Sequence, residues 1–351
     1  MAERSHLTPE VRALISACRV DDRVELATGI DTDLFVKLAR FHRVSAFVWE
    51  RREALGLNEA CSNALRAEML ATLHRNLHFA AELKIALTAL NDAGVETILL
   101  KGAHLMDALY HDPSKRPIRD LDLLIRPVDA DAALTALRSV GYDADPKTAR
   151  FGLLADREVA LEKKGLHTVI TELHTDLNRS TRHHWFPMDA LWQRAVPHVV
   201  DGQSTRALCL EDNLVYLCAH AVPHAFSQII WLKDIASLVE TGPGWDALVE
   251  RARESHAVRA VYAALVLSRD LLGASVPESA VSSLNVIGLD EHLDPARLFG
   301  GTHYSTIGSL GWRAKLADNA GDALSIVFGS VLHRLGEWRN GIVRRKSRLR
   351  M

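Results

Sequence analysis

The hydrophobic spacing of this chain changes at Gly94. Before it, from Asp31 to Arg52 and from Asn58 to Ala93, apolar residues recur three and four apart, as on a helix with one buried face. Thr8, ahead of Pro9-Glu10, supplies a cap for an earlier helix. After Gly94, Val95-Glu96-Thr97-Ile98-Leu99-Leu100 is short and β-rich, and Lys101-Gly102 breaks it. Helical spacing resumes from Ala103 to Tyr110, then turn formers fill His111-Asp112-Pro113-Ser114-Lys115-Arg116-Pro117. Ile118 to Ile125 reads as a second buried strand, followed by an Ala/Leu helix over 129–140. Segments 157–162 and 167–174 read as two more strands. Strand, helix, strand, helix and paired strands indicate an α/β unit of about 90 residues.

Two aspartates, Asp120 and Asp122, lie one residue apart on the second strand. Strand side chains alternate faces, so the two carboxylates point the same way out of apolar surroundings. At about 4 Å two such charges repel by roughly 4 kcal/mol at an effective dielectric near 20. A divalent metal held by oxygen ligands relieves that repulsion; solvation at a strand end is the alternative. Gly102 at a strand-to-helix turn lets a phosphate approach the backbone, where the helix start offers free N–H groups. Lys101 adds a positive charge suited to a polyphosphate. Glu172 shares a face with His174 and serves as a third carboxylate, binding metal or accepting a proton from an attacking hydroxyl.

These residues carry a resemblance. Leu99-Leu100-Lys101-Gly102-Ala103 with Leu105, then Tyr110, then Arg116 and Arg119-Asp120-Leu121-Asp122-Leu123-Leu124, then Glu172-Leu173-His174 is similar to the polymerase-β-like nucleotidyltransferases. Within that superfamily the chain looks most like a bacterial branch of uncharacterised nucleotidyltransferases. The likeness extends into Leu210 to His220 and Trp231-Leu232-Lys233-Asp234-Ile235, covering roughly residues 75–240. It implies Mg²⁺-dependent (or Mn²⁺-dependent) transfer of a nucleoside monophosphate from a nucleoside triphosphate to a hydroxyl-type acceptor, with pyrophosphate leaving. Asp120 and Asp122 match the metal-binding pair, Glu172 the third carboxylate, and Gly102 the glycine of the phosphate-binding turn. Ala103 stands where a phosphate-binding serine is usual, and the gap from Gly102 to Asp120 is long. Lys101 takes over the missing hydroxyl contact in this reading. Two alternatives remain open: a nucleotide-binding module without turnover, and a protein AMP-transferase of toxin–antitoxin type.

Other residues admit two readings each. Arg116 and Arg119 grip the triphosphate through two-pronged guanidinium contacts, or form salt bridges with neighbouring carboxylates. His174 orients Glu172 or touches substrate, or packs in a core. Asp234 contacts the nucleotide or fastens the helical region to the catalytic one. His220 and His224 sit four apart, but Ala221-Val222-Pro223 between them lacks the glutamate of a zinc-protease helix. His183-His184 reads as a loop. The chain has neither the phosphate loop of P-loop enzymes nor a dinucleotide-binding glycine pattern, and no serine-hydrolase elbow.

The expected fold class is α+β, with the nucleotidyltransferase sheet-and-helix domain embedded between two helical regions. The expected boundaries are 1–85 for the N-terminal helices, 86–205 for the catalytic domain and 206–351 for a C-terminal helical domain. A formal net charge of −2 over 351 residues disfavours a surface built for nucleic acid. Cys18, Cys61, Cys209 and Cys218 are scattered as in reduced proteins. With no signal-peptide pattern and no apolar run long enough to span a bilayer, the expected compartment is the cytoplasm. The basic stretch from Arg344 to Arg350 reads as a solvated tail.

Overall fold

The computed structural model describes residues 7–145, 149, 152–153, 157–178, 185–299 and 306–324. His183-His184 and the basic tail lie outside them. The first helix, α1 (Pro9–Ala17), begins where Thr8 Oγ1 accepts the Val11 N–H. Helices α2 (Thr32–Phe41) and α3 (Ser45–Glu50) follow, separated by a three-residue corner. Asn58 then caps α4 (Glu59–Asp92), its side chain accepting the Cys61 N–H at 2.9 Å. At 34 residues, α4 runs for roughly 50 Å. Its first half buries Cys61 and Leu65 among the N-terminal helices, and its second half lays Phe79, Leu83, Leu87 and Leu90 on a sheet.

That sheet is mixed and six-stranded: β1 (Thr97–Leu100), β2 (Asp120–Ile125), β3 (Glu158–Lys163), β4 (Val169–His174), β5 (Val196–Val200) and β6 (Gln203–Ala207). The order is β3-β4-β2-β1-β6-β5. β1 runs antiparallel to β2 and parallel to β6, while β2 runs parallel to β4. Between β1 and β2, α5 (Lys101–Leu105) passes into a wider turn over Met106–Tyr110. The helix therefore starts at Lys101, two residues before the resumption of helical spacing at Ala103.

The β5–β6 hairpin escapes the sequence reading, which ends the strands at His174. Its turn is Asp201-Gly202 with φ of 47° and 79°, the left-handed pair that a tight two-residue hairpin requires.

The alternation of β2 decides where the chemistry lies. Leu121, Leu123 and Ile125 pack into one apolar cluster with α4 and α6 (Ala130–Ser139). Asp120, Asp122 and Leu124 take the other face. There Leu124 joins a second cluster, shared with α8 (Leu210–Ala221) and α9 (Ile229–Val239), which follow α7 (Met188–Arg194) and the hairpin. The acid pair thus sits between the sheet and the C-terminal helices. The fold is the expected mixed α/β arrangement with helices before and after one sheet. Among the described residues, no helix is long and apolar enough to cross a membrane.

Candidate active site

Parallel pairing places Asp122 beside Glu172 across β2 and β4, and His174 follows Glu172 on the same face. Ligand atoms of Asp122, Glu172 and His174 all lie within 4.8 Å of one another. Lys101 Nζ donates to Asp122 Oδ1 at 2.5 Å and lies 3.8 Å from Glu172 Oε2. His174 Nε2 is 3.0 Å from Asp122 Oδ1 and 3.7 Å from Glu172 Oε2, and its Nδ1 is 3.1 Å from Glu158 Oε2. The histidine is buried between carboxylates and orients them.

Charge is divided unevenly in this group. Burial alone would raise Asp122, but Lys101 and His174 outweigh it and hold the carboxyl well below the usual range. Burial, and then the Asp122 charge, push both Asp120 and Glu172 up. Against the cost of burial, Asp122 pushes the Lys101 ammonium up. Lysine therefore offsets the charge of Asp122, and Asp120 and Glu172 lie close enough to that carboxylate to feel its repulsion. A divalent cation fits this donor set: Asp122 and Glu172 offer oxygens, Asp120 lines the same cleft one pleat earlier, and oxygen-rich sites suit Mg²⁺ and Mn²⁺. Asp120 stands outside the tightest group, whose third member is His174.

The cleft has a volume of about 360 Å³. Its floor is Lys101, Asp120, Asp122, Glu158 and Glu172. Its far wall is Leu217, His220 and His224 from α8 and the short turn after it, with Trp231 and Asp234 from α9. The His224 and Trp231 rings are 4.9 Å apart and tilted by 35°, and His220 follows at 5.2 Å. Arg43, Arg116 and Arg119 complete the lining.

Gly102 is needed for close packing: a Cβ there would meet Ile118 Cγ2 at 3.0 Å and Arg116 Nη1 at 3.7 Å. The positive φ falls on Lys101, at 49°. Ala103 turns its methyl into the apolar cluster under the sheet and lines no part of the cleft.

Arg116 and Asp234 are paired with each other. Arg116 Nε donates to Asp234 Oδ2 at 2.8 Å and Oδ1 at 3.1 Å, and Tyr110 Oη donates to Oδ1 at 2.8 Å. Asp234 thus fastens the helical region to the sheet, one of the two roles expected for it. The loop carrying Arg116 is set by Asn76 of α4. Its Nδ2 donates to the carbonyls of Pro113 and Arg116 at 2.7 and 2.8 Å, and its Oδ1 accepts the Ile118 N–H at 3.2 Å. Arg119 is exposed at the mouth.

Sequence reasoning missed Arg43, Asn76, Glu158, Trp231 and, as part of the wall, His220 and His224. Glu158 alternates correctly with its strand partners and faces His174 across the β3–β4 pair, a signal present in the register. Arg43 and Asn76 belong to helical stretches far from the motif and carry no local sign of it.

An acidic group with a lysine between its members and arginines along the lining faces a cleft between a mixed sheet and helices. A family model described as an uncharacterised nucleotidyltransferase matches residues 28–273, and the chain belongs to that family. A solved structure of an antigenic nucleotidyltransferase-like protein from Paracoccidioides brasiliensis is similar at 18% identity, over 57% of this chain and 94% of that chain, with a TM-score of 0.33. No curated protein matches.

Proposed function

We propose that the protein is a Mg²⁺-dependent nucleotidyltransferase that moves a nucleoside monophosphate from a nucleoside triphosphate to a hydroxyl-type acceptor and releases pyrophosphate. The observation that carries this reading is the convergence of Asp122 and Glu172 on one lysine, with Asp120 beside them, in a cleft open to solvent.

Asp122 and Glu172, with Asp120, would hold the cation, which supplies charge neutralisation for the phosphate oxygens and for the attacking oxygen. His174 keeps the Asp122 oxygen aimed into the cleft and ties it to Glu158. Lys101 neutralises the carboxylates before substrate arrives, and its flexible four-carbon stem lets the ammonium swing to a phosphate. Where the cation is held by Asp120 and Asp122 alone, Glu172 beside them is the carboxylate placed to accept the acceptor hydroxyl's proton. The His224–Trp231 pair offers a flat apolar face for a nucleobase. Rate enhancement would come mainly from positioning and charge.

The test is to incubate the full chain with each of the four labelled nucleoside triphosphates, Mg²⁺ and a panel of sugar, amino-alcohol and protein acceptors. Label transferred with pyrophosphate release supports the reading, and Asp120→Asn should abolish it without loss of fold. A second reading, a binding module without turnover, is favoured by Lys101 sitting hard against Asp122 and by Ala103 in place of a hydroxyl residue. Triphosphate binding in Mg²⁺ with no pyrophosphate from any acceptor would select it.

A further inference from the structure

Arg43 enters the cleft from the corner between α2 and α3, on a residue with φ of 60°. Left-handed backbone at a bulky residue costs about 1 kcal/mol or more, so the surrounding structure must hold it there. The end of α2 does so through its own backbone, with the Arg43 N–H on the Arg40 carbonyl at 3.1 Å and the Val44 N–H on the Ala39 carbonyl at 2.9 Å. Three further hydrogen bonds tie the corner to the start of α9. Gln228 Nε2 donates to the Phe41 carbonyl at 3.0 Å, the Ile229 N–H to His42 Nδ1 at 3.4 Å, and the Ile230 N–H to the His42 carbonyl at 3.3 Å. The same helix presents Trp231 and Asp234 to the cleft. The corner that carries Arg43 and the wall that carries Trp231 are therefore one fastened unit.

The side chain itself is short of anions. Its Nε is buried without a hydrogen-bond partner, and among the described residues its guanidinium forms no ion pair. Burial, and then Arg119 and Arg116 nearby, push the guanidinium down to about 9, still charged at neutral pH. A half-buried cation without an ion pair of its own is placed to receive negative charge from a ligand. Asp120 and Asp234 attract it, but Asp234 is already committed to Arg116. Meanwhile Lys101 serves the Asp122–Glu172 end of the cleft. The cleft's cations thus fall into two groups, lysine at the carboxylates and Arg43 with Arg119 beyond Asp120.

We infer that Arg43 binds the terminal phosphates of the nucleotide, the part that departs as pyrophosphate, and that His42 is its positioning residue. The inference rests on the proposed nucleotidyl transfer and assigns the phosphate-binding arginine to the N-terminal helical region, far in sequence from the acidic strand. It orients the substrate: base toward Trp231, reacting phosphate at Asp122 and Glu172, terminal phosphates at Arg43 and Arg119.

The test is calorimetry on the full chain in Mg²⁺ with the four nucleoside triphosphates, the matching monophosphates and inorganic pyrophosphate. Arg43→Gln should weaken triphosphate and pyrophosphate binding by about ten- to a hundredfold, the value of one or two charge-assisted hydrogen bonds, and change monophosphate binding less than about twofold. Arg43→Lys should recover part of the loss. Without ligand, the Arg43→Gln protein should melt close to the wild-type temperature, because the half-buried guanidinium makes no ion pair in the free protein. A lower melting temperature with loss of every ligand would mark a structural residue and overturn the inference. Unchanged triphosphate binding in Arg43→Gln would overturn it and leave the transferase reading standing. A wild-type protein that binds no triphosphate would remove both.

Discussion

Arg116 and Asp234 form a buried, two-pronged pair between the strand-bearing region and the C-terminal helices, with oxygens 2.8 and 3.1 Å from one guanidinium nitrogen. Each forms a wall of the cleft because the other holds it. Removing one partner leaves a charge buried alone, which typically costs about 3–5 kcal/mol. Asp234→Ala and Arg116→Ala should each lower unfolding stability by that order in urea titrations. The double variant should lose much less than the sum, and strict additivity would show that the pair is not coupled.

Asn76 makes three hydrogen bonds to the loop that leads into β2, two of them buried. At about 1 kcal/mol each, Asn76→Ala should cost roughly 3 kcal/mol. The Ile118 amide should also exchange with solvent faster, since its acceptor is gone. Protection of that amide equal to wild type would refute the role given to Asn76.

Two buried histidines set an acid limit. Burial holds His42 down to about 4, and burial followed by His198 holds His104 down to about 4, against an ordinary value of 6.5. Both are neutral in the folded chain at neutral pH, and the unfolded chain binds the extra protons. Their contribution is fully present above about pH 6.5 and is lost as pH falls toward 4, on the order of 3 kcal/mol for His42. Urea midpoints measured from pH 7 to 4.5 should fall through this window. Replacing His42 by Gln should flatten that slope; an unaltered slope would sink the assignment.

Trp231 lines the cleft against the tilted ring of His224. Trp231→Ala should weaken binding of nucleoside mono- and triphosphates alike by about 1–3 kcal/mol, the usual worth of base stacking on an aromatic ring. Inorganic pyrophosphate, which has no base, should bind as before. Equal losses for pyrophosphate would mean that the indole supports the fold of the cleft instead.

Much of the frame was legible because it is local. The period change at Gly94, the Asn58 cap and the alternation through Asp120-Leu121-Asp122 each depend on a few neighbouring residues, and the strands and long helix lie where they indicate. The β5–β6 hairpin carried a local signal too, Asp201-Gly202 between two β-rich runs, obscured by Pro197 and His198 within the first run. The rest depends on distance in sequence. Arg116 meets Asp234 and Asn76 meets the loop before β2 only through tertiary packing, so a pair of readings for Arg116 was all the sequence allowed. Lys101 is legible as a cation at the strand-to-helix turn, but its seat on Asp122 is not, because the β1–β2 register sets it. Arg43 was invisible for the same reason.

The most direct measurement is a crystal structure of the protein with Mn²⁺ and a non-hydrolysable nucleoside triphosphate, using the anomalous signal of manganese. The expected result is a peak roughly 2.0–2.3 Å from carboxylate oxygens of Asp122 and Glu172, with the Lys101 ammonium moved from Asp122 onto phosphate. A triphosphate bound with Lys101 still on Asp122 and manganese elsewhere would contradict the metal-dependent chemistry assigned to this cleft.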